Sequence, residues 1–240
     1  MAKTIIHKAD SRGHADHGWL NTYHTFSFSN YHDPERVHFG ALRVLNDDTV
    51  APGRGFGRHP HDNMEIVSIP LEGDLEHADS MGNKAVIRKG DIQAMSAGTG
   101  IMHSEYNASK DNPVKFLQIW VFPSRQNITP QYSQVTLNSS DRKNTLQQIV
   151  SPRANGATGV TIQQDAWFHL GDLDKGIQLT YGIKNKGDGA YLFVLRGSVN
   201  VEGQLLNSRD GMGVWDTDQI SITADSDAEL LVIEVPMNLD

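Results

Sequence analysis

The sequence predicts an all-β protein of two similar β-domains, each a sandwich or barrel, with little helix. Three observations support this prediction. Short β-branched or aromatic runs recur between clusters of Gly, Asn, Asp and Pro, a pattern typical of strands joined by tight turns. Apolar residues at helical spacing are scarce, and a coarse internal repeat divides the chain into two halves.

Eight runs have the composition of strands, and turn-forming residues bound them. In chain order they are FGALRVL (39–45), EIVSIPLEG (65–73), KAVIRKGD (84–91), KFLQIWVFP (115–123), QLTYGI (178–183), AYLFVLRGSVNV (190–201), QISITA (219–224) and ELLVIEVP (229–236). The segment that tolerates helix best is NSSDRKNTLQQIVSP (138–152). There Ser139, Ser140 or Asp141 could cap one short helix, which Pro152 would stop.

The internal repeat pairs residues 64–77 with residues 190–203. In each copy an apolar strand ends at a charged residue and a glycine, Gly73 or Gly197, and a second strand follows. Each copy then leads through a turn containing Gly and Asp to a later strand that ends in proline. We therefore expect two similar β-domains joined through the polar segment 124–150.

Charge and composition exclude several classes of function. The 240 residues carry a formal net charge of −8 and no run of Lys or Arg. Because a surface that binds phosphates needs clustered cations, we expect no direct nucleic-acid partner. The absence of cysteine excludes disulfides, thiolate ligands and a cysteine nucleophile. No apolar stretch resembles a signal-peptide core or a membrane span, so we expect a cytoplasmic protein with no membrane partner.

Two short histidine motifs are the main candidates for a functional site. His59 and His61 flank Pro60, and His103 and Glu105 form a second pair at the same spacing. Side chains at positions i and i+2 of a strand point to the same face, and proline in a strand belongs at an edge or at the first residue. Two adjacent strands would therefore present three imidazoles and one carboxylate to a common point.

Such a donor set suits a divalent transition metal. Imidazole and carboxylate groups bind Fe, Mn, Ni, Cu or Zn, at roughly 2.0–2.2 Å for zinc. A single H-x-H motif is usually incidental, but its combination with a later H-x-E motif in glycine-rich β-sequence favours a metal site. The chain contains no cysteine, so any metal must use nitrogen and oxygen ligands.

The spacing of these motifs resembles the cupin pattern. Residues 53–65 match the opening of the first cupin motif, and residues 90–107 represent the second. Ser96 stands where the common second motif has proline, and the gap before its histidine is longer than usual. General cupins often use the glutamate of the first motif as a ligand, so Glu65 and Glu105 are both candidates at this level.

Longer segments resemble the pirin family, most closely its bacterial quercetin 2,3-dioxygenase-type members. The resemblance covers essentially the whole chain, and its main segments are residues 12–28, 55–83, 90–107, 117–132 and 211–236. It implies a bicupin, with two antiparallel jelly-roll-like barrels packed together. Residues 1–135 would form an amino-terminal metal-binding cupin domain, and residues 136–240 a carboxyl-terminal cupin domain without a metal site. The single histidine of the carboxyl-terminal half, His169, agrees with that division.

The resemblance also implies the ligands. In this family the metal is held by the residues that here are His59, His61, His103 and Glu105. Glu65 then becomes a scaffold residue. One divalent transition metal is expected, with iron preferred and zinc, nickel, manganese, copper and cobalt as alternatives.

The activity that the resemblance implies is a dioxygenase that opens the heterocyclic ring of flavonols such as quercetin. The 3-hydroxyl of the flavonol would bind the metal, a carboxylate would take its proton, and dioxygen would release carbon monoxide and a depside. We assign Glu105 as both ligand and base, with a purely structural role as the alternative. A non-enzymatic alternative is a pirin-type redox sensor that binds a protein partner. A third is a cupin that isomerises or binds a small metabolite without consuming dioxygen.

Other residues receive structural interpretations. We expect His14, His17 and His24 to cap or pack rather than to ligate a metal. Phe56 is expected to pack at the barrel mouth, and His77 to be an exposed strand residue. The methionines expected to fill the core are Met64, Met81, Met95 and Met102.

Overall fold

The computed structural model describes residues 2–153 and 158–239. Its strands, numbered in chain order, are β1 Lys3–His7, β2 Gly13–Asp16, β3 Leu20–His24, β4 Leu42–Val50, β5 Gly55–His61, β6 Glu65–Glu72, β7 Asp74–Asp79, β8 Lys84–Arg88, β9 Asp91–Ser96, β10 Ile101–Asn107, β11 Val114–Val121, β12 Gln131–Thr136, β13 Gln147–Pro152, β14 Val160–Ile162, β15 Trp167–Leu173, β16 Gln178–Gly182, β17 Asp188–Arg196, β18 Ser198–Val201, β19 Gln204–Asn207, β20 Gly211–Trp215, β21 Gln219–Ala224 and β22 Ala228–Pro236.

These strands form four sheets, one large and one small in each half of the molecule. The amino-terminal pair has the orders β12-β9-β6-β11-β4-β3-β2 and β5-β10-β7-β8. The carboxyl-terminal pair has the orders β1-β20-β17-β22-β15-β13-β14 and β16-β21-β18-β19. Neighbouring strands are antiparallel except β13 and β14, which are parallel. Each half is therefore a large sheet facing a small one.

The two halves share a core, because each large sheet buries both faces. On β22, Leu230 and Val232 point into the carboxyl-terminal barrel, whereas Leu231 and Ile233 belong to a cluster that also contains residues of the amino-terminal half. This alternation follows from the two-residue period of a strand. Fully burying each such side chain contributes roughly 1.5–3 kcal/mol, so the shared core holds the two barrels together.

The amino terminus crosses to the other half. Strand β1 pairs with β20 of the carboxyl-terminal large sheet, from Lys3 opposite Trp215 to His7 opposite Gly211. The chain then returns to build the amino-terminal barrel, whose last strand, β12, ends at Thr136. Residues 3–7 thus lie spatially with the half that follows them in sequence.

Helix in the described residues is confined to short 3-10 turns, including Ala9–Ser11 and Ser139–Arg142. The second lies in the segment predicted to hold a helix. However, none of the three predicted residues caps it. The capping side chain is that of Asn138, which accepts a hydrogen bond from the Ser140 backbone N–H at 3.1 Å. The rest of that segment forms β13, with Pro152 as its final residue rather than a helix stop. None of the helices described is long and apolar enough to cross a membrane.

The methionines divide by position. Met95 is fully buried, and Met64 packs partly buried against the same cluster. Met102 is also partly buried. Met81 is 40% exposed, so its predicted core role is wrong. It lies in the turn between β7 and β8, where its backbone N–H donates to the Asp79 carboxylate.

The internal repeat appears as two equivalent hairpins, β6–β7 and β17–β18. Gly73 and Gly197 join their strands and have φ angles of +75° and +78°, the left-handed region in which a Cβ is unfavourable. At Gly197 a Cβ would also overlap the backbone carbonyl oxygen of Asp227. Both the backbone angle and the close approach therefore require glycine there.

We expect Gly197→Ala to lower the free energy of unfolding by more than about 2 kcal/mol. The left-handed angle alone costs roughly 1–2 kcal/mol for a residue with a Cβ, and the clash with Asp227 adds to it. Gly203 provides a matched control, since its φ is +81° and nothing lies within 4 Å of its Cβ position. Urea unfolding of both alanine variants would measure the difference. Equal losses would show that the close approach has no energetic consequence.

Candidate metal centre

The two histidine motifs lie on adjacent strands of the small amino-terminal sheet. β5 is the edge strand of that sheet, a position that suits Pro60 because proline cannot donate a ladder hydrogen bond. It pairs with β10 so that His59 lies opposite His103, and His61 opposite Ile101. Strand pairing therefore brings the H-x-H and H-x-E motifs side by side.

Three histidines form a compact group at this point. The ring centroids are 4.9 Å apart for His59 and His61, 4.4 Å for His59 and His103, and 4.8 Å for His61 and His103. One nitrogen from each ring lies within 4.8 Å of the others. His59 Nδ1 donates to the carbonyl oxygen of Gly57 at 2.7 Å, which fixes its tautomer and leaves the Nε2 lone pair for a ligand.

His103 shows that the group fits a metal ion. Its side chain is 1% exposed, yet neither ring nitrogen has a hydrogen-bond partner among the residues described. Burial, together with the charges of His59, His61 and His77, lowers its pKa to about 2. A buried polar group without a partner costs about 1–3 kcal/mol, and coordination would satisfy it. The imidazole is thus held neutral, the form that binds metals.

Glu105 lies beside His103 in a second group. Its carboxylate oxygen and ring nitrogens of His77 and His103 lie within 4.8 Å of one another. Glu105 Oε1 accepts a hydrogen bond from Ser68 Oγ at 3.1 Å, and Oε2 accepts one from Gln118 Nε2 at 2.7 Å. Burial raises the pKa of Glu105 to about 7, although both hydrogen bonds oppose the shift.

The four predicted ligands therefore occur as two overlapping groups that share His103. A register shift between His103 and Glu105 on the β10–β5 pairing puts Glu105 opposite Phe56. On the other side of β10, Glu105 pairs with His77 of β7. The described residues contain no single group in which the donor atoms of all four lie within 4.8 Å of one another.

The prediction that His77 is exposed is wrong. Its side chain is 0% exposed, and its ring lies 5.4 Å from that of His103 and 4.9 Å from that of Tyr132. Its Nε2 is 3.2 Å from Asp79 Oδ2. The alternation of Leu75, His77 and Asp79 on β7 was the available signal, since all three share the inward face.

Glu65 lies outside both groups. It is 1% exposed, and its Oε2 accepts hydrogen bonds from Ser96 Oγ at 2.6 Å and from the Gln163 backbone N–H at 3.0 Å. Glu65 thus joins β6 to β9 and to the carboxyl-terminal half. Both of its contacts are structural.

The carboxyl-terminal segment of the chain contributes one buried histidine to its barrel, in addition to His7 of β1. His169 is 4% exposed, and burial lowers its pKa to about 4. Its Nδ1 is 3.5 Å from the Tyr181 hydroxyl, which donates to Glu234 Oε2 at 2.6 Å. No metal-ligand group was found among the residues described in this half.

A cavity of about 360 Å³ lies among β2, β3, β4 and β5, and none of the four predicted ligands lines it. Phe56 lines it, packs edge-on against Trp19 at 5.3 Å, and has its ring centroid 6.5 Å from that of His59. His24 packs as expected, with Nδ1 2.9 Å from Asn46 Oδ1. The other two histidines of this segment, His14 and His17, are exposed at the cavity rim.

Comparison with known proteins adds the family. Residues 6–121 match the pirin model, and residues 148–235 match the model of the quercetinase C-terminal cupin domain. The chain is 44% identical to the quercetin 2,3-dioxygenase of Escherichia coli (strain K12) over 231 residues, which cover 96% of this chain and 98% of that protein. The chain belongs to the pirin family.

Other pirin relatives agree in fold and extent. A pirin-like protein of Caulobacter vibrioides is 40% identical over 225 residues, covering 94% of this chain and 96% of that one. A crystal structure of a bacterial pirin from Escherichia coli, in complex with nickel(II), superimposes with a TM-score of 0.91 at 42% identity and covers 98% and 99% of the two chains. The predicted all-β bicupin fold with little helix is confirmed.

Proposed function

We propose that this pirin-family chain is a metal-dependent dioxygenase that opens the heterocyclic ring of flavonols such as quercetin. The observation that carries the proposal is the buried His103, whose ring nitrogens lack partners among the described residues and lie between two further histidines and a buried glutamate. The relatives named quercetin 2,3-dioxygenase support the reaction class. We assign the metal-binding cupin domain to residues 1–135, of which strand β1 pairs into the carboxyl-terminal sheet, and the cupin domain without metal to residues 136–240.

His59, His61, His103 and Glu105 would hold the metal, as three neutral nitrogens and one carboxylate. A bound divalent ion would lower the pKa of a coordinated hydroxyl and bring dioxygen close to an electron-rich carbon. We propose iron as the ion. The bacterial pirin from Escherichia coli was crystallised with nickel(II), and N/O ligand sets discriminate weakly between such ions.

Glu105 would take the proton of the flavonol 3-hydroxyl. Its pKa of about 7 before any cation binds is close to the value that makes a general base most effective at neutral pH. Ser68 and Gln118 hold the two carboxylate oxygens, so the side chain is oriented before substrate arrives. The proton would move from the hydroxyl to a Glu105 oxygen.

Aromatic side chains would position the flat rings of the substrate. Trp120 packs edge-on against His61 at 4.9 Å, and Phe28 packs edge-on against Trp120 at 5.3 Å. Phe56 forms the wall next to His59. Such faces bind planar aromatic molecules by stacking and exclude water from the reacting atoms.

The test is turnover of quercetin by protein loaded separately with Fe, Mn, Co, Ni, Cu and Zn. We expect at least one loaded form to consume one dioxygen and release one carbon monoxide for each quercetin opened. Chelated protein is the control and should be inactive. Absence of turnover with all six ions would refute the proposal, and redox-dependent capture of a regulatory protein would then favour the sensor alternative.

A further inference from the structure

We propose that Asp48 binds a ring hydroxyl of the substrate, other than the 3-hydroxyl, and thereby selects polyhydroxylated aromatic molecules. This inference rests on the proposed function and extends it from the metal centre to the adjacent cavity. It concerns substrate recognition, and it assigns Asp48 no part in the bond-breaking steps.

Asp48 is a buried carboxyl group whose hydrogen bonding is incomplete. It is 4% exposed and lines the cavity of about 360 Å³. Its Oδ1 is buried without a hydrogen-bond partner among the residues that the structure describes. Thr22 lies opposite it in the β3–β4 pairing. Buried carboxylate oxygens are costly to leave unpaired, so the free oxygen points to a ligand that donates a hydrogen bond.

Two aromatic side chains of the cavity wall, Phe56 and Phe28, link the cavity to the histidine group, whose own rings do not line it. Phe56 lines the cavity and neighbours His59. Phe28 also lines it, and contacts the Trp120 ring that packs against His61. A flavonol with its 3-hydroxyl at the histidine group would therefore extend its outer rings along these aromatic faces.

The strand register gives a second connection. Asn46, another lining residue, lies opposite Gln118 in the β4–β11 pairing. Gln118 is the residue that donates to the Glu105 carboxylate. Asp48 follows Asn46 at the next inward-facing position of β4. The proposed base and the free Asp48 oxygen thus belong to one continuous inner surface of the barrel.

The chemistry at Asp48 suits a phenol. A carboxylate accepts a strong, charge-assisted hydrogen bond from a phenolic O–H. A ring without hydroxyls would leave the buried oxygen unpaired, and sites built to hydrogen-bond a hydroxyl reject analogues that lack it. The cavity volume is within the range of small-molecule sites.

Binding of luteolin by metal-free protein tests the proposal apart from turnover. Luteolin is quercetin without the 3-hydroxyl, so its affinity reports the outer-ring contacts. Calorimetry would compare the native protein with Asp48→Leu, which removes the hydrogen bond, and with Asp48→Asn, which keeps the shape and some hydrogen-bonding capacity. We expect luteolin affinity to fall about tenfold or more in the leucine variant, with partial recovery in the asparagine variant. Unsubstituted flavone should bind the leucine variant at least as tightly as it binds the native protein, because leucine leaves no buried oxygen unpaired.

Three results would overturn the inference. The first is that native protein and the leucine variant bind luteolin with the same affinity. The second is that native protein does not bind luteolin. The third is that the leucine variant loses affinity for luteolin and for flavone equally. The last would indicate a change of shape. If quercetin turnover is absent but luteolin binding depends on Asp48, the proposed reaction fails while this inference stands.

Discussion

His103→Ala is expected to abolish metal binding by the purified protein. His103 belongs to both groups of candidate ligands, so its loss removes the nitrogen around which the others are arranged. We expect the affinity for a divalent ion to fall by more than about a hundredfold, because even residues that only orient metal ligands typically change affinity 10–100-fold. Elemental analysis after dialysis against a weak chelator would measure the metal content per chain.

Two histidines offer matched controls for that experiment. His77→Gln changes the histidine next to His103, and His169→Gln changes a buried histidine of the other barrel. Both variants should retain about one ion per chain at saturating metal, since neither residue is a proposed ligand. If His77→Gln loses the metal while His103→Ala retains it, the assignment is contradicted. The metal would then be held by His77 and Glu105.

The strands were predictable where they depended on local pattern. The unbroken apolar run in ELLVIEVP predicts a strand, whose two-residue period puts successive side chains on opposite faces, and β22 covers Ala228–Pro236. The H-P-H motif predicts extended backbone at an edge, and β5 is an edge strand. Both rest on the two-residue period and on the missing N–H of proline, which act within a few residues of the chain.

Features that depend on distant pairing were not predictable in the same way. β1 pairs with β20, and its Ile6 packs against the carboxyl-terminal cluster, contacts with residues about 200 positions away that the local sequence of Lys3–His7 does not specify. The register of β10 on β5 shifts between His103 and Glu105, whereas its register on β7 is continuous. The predicted ligands fall into two overlapping groups, although the sequence spacing treats them as one set.

The sequence predicts burial least well where tertiary contacts decide it. The position of His77 after EGDLE predicts an exposed residue, but His77 lies on the inward face of β7, against the rings of His103 and Tyr132. The apolar side chain of Met81 predicts a core position, but Met81 lies in the turn that follows β7 and is 40% exposed. For both residues, the element that holds the side chain and what packs against it decide the burial, and the type of side chain does not.

Glu105→Gln is expected to lower quercetin turnover by about 10²–10⁴-fold at saturating metal. That range is typical for loss of a general base, and glutamine cannot take the proton of the 3-hydroxyl. The substitution preserves shape, so the three histidines should still hold the ion, with weaker affinity. The measurement is kcat for protein whose bound metal has been verified, which separates loss of the base from loss of the ion.

Glu65→Gln is the matched control, because Glu65 is also a buried glutamate with a raised pKa but lies outside both ligand groups. It should retain turnover at saturating metal.

Native activity should rise with pH as Glu105 ionises, and a bound cation would move that rise below pH 7, since an opposite charge lowers a carboxyl pKa. If Glu105→Gln with bound metal keeps turnover within about fivefold of native, another group accepts the proton and Glu105 is only a ligand or support.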